Sequence, residues 1–179
     1  MMFVSRDDNT QPLQPAQSVE QGLQAALPIP TEIRFYRSSD AYFCLTNFSA
    51  HPIVVDEIYW PTVEHYFQAQ KFISSDPDWA EKIRNAASPL AAAGMGQDRR
   101  HQVREDWEAV KDDIMRFALG VKLAQNADVR AALLATGEAK LILDSDRNSY
   151  WGCGVDGSGS NTFGKILMEL RSELLPKNK

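Results

Sequence analysis

Cysteine and histidine are scarce in this chain of 179 residues: Cys44 and Cys153 are the only thiols, and histidine stands only at 51, 65 and 101. Two isolated thiols point away from a disulfide framework, and neither residue type falls at metal-ligand spacing. No metal or other cofactor is therefore expected. Long apolar runs are also missing. Nothing approaches the ~18 consecutive apolar residues of a membrane span, and the N-terminus has no basic stretch followed by an apolar one, so no signal peptide is read. Positive charge is in deficit as well. A formal net charge of -5 disfavours non-specific attachment to nucleic acid, although a local basic pocket can still hold a phosphate. Cytoplasmic residence is the default expectation.

Aromatic residues are absent from "DDNTQPLQPAQSVEQGLQAALPIP", residues 7–30, which is rich in Gln, Pro and Ala. Residues 1–30 read as a flexible leader, with a short helix over 18–27 capped by Ser18 and stopped by Pro28. From residue 31 to 179 the composition suits one globular domain, since the chain as a whole is 44% hydrophobic and 24% charged. In "EIRFYR", Ile33 and Phe35 alternate with charged neighbours, the period of a strand. "HPIVVDEIYWP" has two short apolar runs around Asp56-Glu57 and predicts a hairpin.

Helices follow. Thr62 is a candidate N-cap for one running to about Ile73. A second is expected over 77–87. A third opens at Ser88-Pro89, a cap followed by proline at the first helical position. The fourth, over 105–124, places Trp107, Val110, Ile114, Phe117 and Val121 on one face. A short helix over 128–135, a strand at "AKLILDS", a glycine-rich loop and an amphipathic helix over 163–175 complete the chain. The fold class expected is α+β, a mostly helical single domain with a small antiparallel sheet.

"WPTVEHYFQAQKF", residues 60–72, mixes charge with aromatics. On a helix starting after Thr62, Glu64, Gln68 and Lys71 share one face, Val63, Tyr66 and Phe67 form an apolar anchor, and His65, Ala69 and Phe72 form a third stripe. Spacing alone leaves two readings, a solvated polar face or a rigidly held pocket floor. "SYWGCGVDGSGSN" invites a similar choice. Its glycines permit positive φ and close backbone approach. Trp151 can stack on a flat ring, and backbone N–H groups near Asn161 can receive phosphate. The alternative is a glycine-rich connector around a core tryptophan. The loop matches neither a P-loop nor a dinucleotide fingerprint. Arg99, Arg100, His101 and Arg104 form a basic cluster, which reads better as a solvated helix start than as a phosphate site.

Taken in order, "LTNF", "WPTVEHYFQAQKF", "SPLAAAGMG", "REDWEAVKDDIM", "LLATG", "YWGCGVDGSGSN" and "ILMELRSEL" resemble the NADAR (YbiA-like) N-glycosidase family over about residues 34–174. The resemblance implies a hydrolase that cleaves the N-glycosidic bond of a phosphorylated ribose, for example in ribosylamino-pyrimidine intermediates of riboflavin biosynthesis. Its implied rivals are hydrolysis of ADP-ribosyl-guanine in nucleic acid and a non-catalytic module that binds ADP-ribose or nucleotides. The partner would be a small ribose-phosphate or ADP-ribose conjugate, with ADP-ribosylated nucleic acid as a further candidate and no membrane.

The resemblance implies Glu64 as general base or stabiliser of charge on the sugar, and Lys71 as anion anchor or Schiff-base nucleophile. Asn47, Phe48, Trp60, Tyr66, Gln68, Asn148, Trp151, Gly152 and Asn161 are the implied substrate-binding residues. The chain departs from the family pattern at Asn148, where that pattern carries Asp, and at Ser158 and Ser160, where it carries Lys. Asp146 is the upstream carboxylate that could stand in for the first.

Overall fold

The computed structural model of the chain describes residues 30–176, so nearly all of the expected leader, and the helix expected within it, lies outside the described residues. The described chain is an α+β domain of six helices and four short strands. Strand β1, Glu32–Phe35, buries Ile33 and Phe35 as its alternation requires. Strands β2, Ile53–Val55, and β3, Ile58–Trp60, form the expected antiparallel hairpin. Its two turn residues, Asp56 (φ 49°) and Glu57 (φ 64°), are both left-handed. This geometry matches the twist of a tight hairpin, although neither residue is a glycine.

Helix α1, Val63–Gln70, starts at Thr62, whose hydroxyl accepts the His65 N–H at 3.4 Å. It ends three residues short of the expected boundary. Helix α2, Pro77–Arg84, is capped by Asp76, and α3, Pro89–Met95, by Ser88, each with proline at the start. Helix α4, Trp107–Gln125, is the spine of the domain, and α5, Ala127–Ala135, returns alongside it. Strand β4, Lys140–Leu143, precedes the glycine loop, and α6, Thr162–Leu174, closes the domain.

Two features differ from expectation. First, β1 and β4 form a second, parallel pair, in register Ile33 with Leu141 and Phe35 with Leu143. A parallel pair needs a long crossover, and α1 to α5 supply it. Helix α6 lies so close on β4 that a Cβ at Gly164 would overlap the Leu141 carbonyl. Second, the buried stripe of α4 is Trp107, Met115, Ala118, Leu119, Lys122 and Leu123, whereas Phe117 is half exposed. The expected stripe is rotated because a lysine occupies an inward position, which an apolar periodicity cannot register.

Helix α1 is buried along its length: Val63 through Ala69 are all buried, and α2, α3 and α4 pack around it. A helix so enclosed still carries a glutamate, a histidine and a glutamine, so each must be hydrogen-bonded or face a cavity. For His65 the answer is structural. Its ring contacts the Thr62 hydroxyl at 2.8 Å and donates from Nε2 to the Ala86 carbonyl at 3.1 Å, while burial lowers its pKa and keeps it neutral.

Candidate active site

Glu64, Gln68 and Lys71 face a cavity of about 640 Å³. Its floor is this polar face of α1 together with Phe67. One wall comes from α4, through Trp107, Glu108, Lys111 and Met115. The loop after β4 supplies Arg147, Asn148, Tyr150 and Trp151, and the segment before β2 supplies Asn47 and Phe48. Three aromatic rings meet here. Phe67 lies between Trp107, at 5.0 Å between centroids, and Trp151, at 5.5 Å and edge-on. This packing fixes the α1 surface against two large flat side chains.

The Glu64 carboxylate is held from both sides. Oε1 accepts the Gln68 amide N–H at 2.7 Å, and Oε2 accepts the Asn47 amide N–H. The Asn47 carbonyl in turn accepts the backbone N–H of Glu64 at 2.9 Å. Burial pushes the Glu64 carboxyl up to about 7, against the pull of the Gln68 and Asn47 amides and the Lys71 charge. Lys71 is shifted the opposite way. Burial lowers its ammonium, while Glu64 and Glu108 oppose the shift. Its Nζ donates to the Gly96 carbonyl at 3.0 Å and lies 5.5 Å from the centre of the Trp107 ring. A desolvated carboxylate and a desolvated amine on one cavity surface are suited to proton transfer or to stabilising positive charge near neutral pH. Among the described residues, no group of three or more His, Cys, Asp or Glu is placed to hold a metal ion.

The sequence model of the NADAR domain matches residues 34–175. The chain belongs to the NADAR family. It is 51% identical to N-glycosidase YbiA of Escherichia coli over 80% of this chain and 89% of that protein. The NMR structure of YbiA superposes with a TM-score of 0.74, covering 80% of this chain and 84% of that one. An N-glycosidase of Nostoc punctiforme is 45% identical over 79% of this chain and 92% of its own length. A chloroplastic riboflavin biosynthesis protein, PYRR of Zea mays, is 38% identical over 80% of this chain, a match that spans only 25% of that longer protein. These names agree with the enzyme class expected from the sequence, a hydrolase acting on N-glycosyl compounds.

Of the residues singled out in the sequence of this NADAR chain, Asn47, Phe48, Glu64, Gln68, Lys71, Asn148 and Trp151 line the cavity together. Four do not. Trp60 and Tyr66 are buried away from the cavity, edge to face at 5.1 Å, with Tyr66 also against Phe117. Gly152 is packed on β4, where a Cβ would come within 2.7 Å of the Leu143 carbonyl. Asn161, at φ 50°, pins β4 by accepting the Leu143 N–H at 3.0 Å and donating to the Leu141 carbonyl at 2.8 Å.

The glycine loop also differs from the phosphate cradle considered above. The N–H groups of Gly152, Cys153, Gly154, Gly157, Gly159, Ser160 and Asn161 all donate to backbone carbonyls of the loop or of β4 and its continuation. Those of Thr162 and Phe163, at the start of α6, reach Tyr150 and Trp151. The glycines let the loop fold onto itself, and these donors are spent. Ser158 is exposed, tied to Asp156, and Ser160 is likewise exposed. Asn148 serves as a turn anchor: its Oδ1 accepts the N–H groups of Tyr150 at 3.0 Å and Trp151 at 2.8 Å, holding Trp151 over Phe67. A carboxylate could make the same two bonds, so the departure at 148 leaves this geometry intact. Asp146 faces a neighbouring cavity.

Three members of the basic cluster are engaged in local pairs. Arg100 bonds Asp98, Arg104 bonds Asp106, and His101 bonds Asp76 at 2.6 Å while stacking on Trp79 at 3.8 Å. The cavity cations are instead Lys71, Lys111 and Arg147. The sequence reading missed Glu108, Lys111 and Arg147. The i,i+3 spacing of Glu108 and Lys111 marks only an ordinary helical ion pair, which they do form. Lys111 also sits 4.0 Å above the Tyr150 ring at the cavity wall.

Proposed function

We propose that this chain hydrolyses the N-glycosidic bond of a phosphorylated ribose conjugate, of the kind found among ribosylamino-pyrimidine intermediates. The observation that carries the reading is Glu64: a buried carboxylate with a pKa near 7, clamped by two amides, on a cavity walled by aromatic rings. Cleavage of a C–N glycosidic bond builds positive charge on the sugar ring, and a desolvated carboxylate beside it stabilises that charge or takes a proton from the attacking water. Lys71 acts as an ammonium anchor. One of its protons is committed to Gly96, and the others are available to a ribose hydroxyl or phosphate oxygen. Lys111 and Arg147 add positive charge at the same cavity. Trp151 and Phe48 offer faces to the base and the sugar. The riboflavin-pathway name of the maize relative supports the substrate class. A cytoplasmic address belongs to the same proposal, and no described helix is long and apolar enough to cross a membrane.

Two observations favour a second reading each. A neighbouring cavity of about 510 Å³ shares Tyr36 and Arg147 with the first, which would give room for an ADP-ribosyl substrate. The lowered pKa of Lys71 favours a neutral amine that attacks an opened sugar. Following base release from a ribosylamino-pyrimidine phosphate and from ADP-ribosylated guanine oligonucleotide separates the substrates. Borohydride trapping, read by mass spectrometry, tests for a covalent adduct on Lys71. Glu64→Gln is expected to lower kcat on the true substrate at least ~100-fold. Release from neither substrate, or equal rates for wild type and Glu64→Gln, overturns the proposal.

A further inference from the structure

Among the described residues, Lys122 is the most deeply buried charged side chain that the chemistry above does not use. It lies on α4 and is 1% exposed, and no carboxylate of the described residues pairs with it. Its Nζ instead donates to the Cys44 carbonyl at 2.6 Å, the Thr46 carbonyl at 2.7 Å and the Ser49 hydroxyl at 2.5 Å. An ammonium has three protons, and three acceptors from a single six-residue turn receive them. The acceptors are themselves locked. Thr46 is 2% exposed and its hydroxyl donates to the Phe43 carbonyl, while the Ser49 hydroxyl lies 2.9 Å from the Cys44 carbonyl. Burial pulls the Lys122 ammonium down to about 7, against the opposing influence of Cys44 and Asp128.

This turn leads directly to the site. Asn47 lies between two of the bonded residues. It grips Glu64 twice, through its side-chain amide to the carboxylate and through its carbonyl to the backbone N–H. Phe48, its neighbour, lines the same cavity. The turn has no strand or α-helix of its own, only a 3-10 segment from Phe43 to Leu45. An irregular loop that must hold a catalytic carboxylate needs support from a rigid element. Helix α4 reaches it with one side chain.

We propose that Lys122 is a positioning residue, which fixes the 44–49 turn so that Asn47 holds Glu64 and Phe48 faces the cavity. The inference rests on the glycosidase reading for its kinetic consequences but not for its geometry. An apolar stem of the same length, Lys122→Met, removes all three bonds. Ser49→Ala removes one of them and is the milder variant if Lys122→Met does not fold.

The first measurement needs no substrate: the titration of Glu64, followed by 13C NMR with carboxyl-labelled glutamate and assigned against Glu64→Gln. With Asn47 released, the Glu64 midpoint should climb by roughly half to one pH unit, since an N–H bond to the charged form is lost. The second is kinetic. Ser49→Ala should lower kcat about 3- to 10-fold with KM little changed, the size expected for one hydrogen bond. In an Asn47→Ala background the same change should have no further effect, because the support then has nothing to hold. An unchanged Glu64 midpoint in a folded Lys122→Met or Ser49→Ala protein overturns the proposal, and so does full additivity with Asn47→Ala. If the wild-type chain cleaves no glycoside, the function proposal falls, and the titration alone decides the role of Lys122.

Discussion

Gly96 is expected to be irreplaceable for a reason unrelated to backbone freedom. Its φ is -67°, which any residue adopts, so alanine there meets no conformational barrier. Space is the obstacle. A Cβ added at 96 would overlap Gln68 Oε1 outright and lie 2.5 Å from Gln68 Cδ and 3.0 Å from its Cβ. Rotation of the Gln68 side chain relieves the first two contacts but not the third, which asks for a small local displacement between residue 96 and α1. Gln68 would then lose its bond to Glu64 Oε1, and the Gly96 carbonyl that receives Lys71 would move with the backbone. Overpacking typically costs about 1–3 kcal/mol. The lower chain entropy of alanine in the unfolded state returns about 0.4–1 kcal/mol. The net loss is thus modest, on the order of 1 kcal/mol, or roughly 2–4 °C in Tm for a domain of this size.

Activity should suffer far more than stability in Gly96→Ala. A hydrogen bond to a charged group contributes about 1.5–3 kcal/mol, so kcat should fall roughly 10- to 100-fold. The Glu64 midpoint should rise above about 7, because the Gln68 amide is the largest influence holding it down. Gly94 supplies the control. It sits in the same helix, a Cβ there meets nothing within 4 Å, and it does not line the cavity. Gly94→Ala should therefore raise Tm by about 1–4 °C with unaltered kinetics. Calorimetry and a pH–rate profile on both variants suffice. A Gly96→Ala enzyme with wild-type kcat and pH profile would refute the claim that Gln68 orients the carboxylate.

Three further outcomes follow from the same geometry. Because Glu64 is raised from 4.5 to about 7, the folded state holds a proton that the unfolded state has released across that window. Its ionisation therefore costs stability as pH rises, with an upper bound on the order of 3 kcal/mol. The Tm difference between Glu64→Gln and wild type should accordingly grow more positive from pH 5 to pH 8, and a flat difference would mean that the carboxyl is not perturbed. Replacing the left-handed Glu57 by glycine should stabilise the hairpin by about 1 kcal/mol in urea unfolding, since that position of the turn favours glycine. Asn148→Ala, which removes the acceptor for Tyr150 and Trp151, should raise KM about tenfold, whereas Asn148→Asp should recover most of that loss.

Much of this architecture was legible because local chemistry announces it. Thr62 and Ser88-Pro89 mark helix starts, and each caps as expected. The shared face of Glu64, Gln68 and Lys71 follows from helical spacing alone, and it faces the cavity. The parallel pairing of β1 with β4 was not legible, since over a hundred residues separate the strands and no turn chemistry encodes their contact. Gly152 and Asn161 illustrate a different gap. Glycines and an asparagine beside a helix start suit a ligand loop and a self-packed loop equally, and only the destinations of the backbone N–H groups distinguish them. Trp60 was placed at the cavity because a tryptophan beside the polar motif looks exposed to substrate, and Lys122 went unread because an inward lysine does not stand out from a solvated one.

The site depends on the polar groups that such pattern reading discounts. Burial disfavours the charged forms of both Glu64 and Lys71, raising the carboxyl and lowering the ammonium. Each charge partly restores the other, and two amides favour the carboxylate. Burial therefore moves the two groups toward one another in proton affinity, and at the carboxylate it stands in balance with the groups that favour the charged form. A transition state that gathers positive charge on a bound sugar would tip this balance toward the carboxylate, while a ground state with a neutral ring would not. Differential stabilisation of that kind is what accelerates a reaction. It requires the carboxylate to be held by groups that do not themselves move, which explains why the support runs through a helix residue, Gln68, and through a turn anchored to α4.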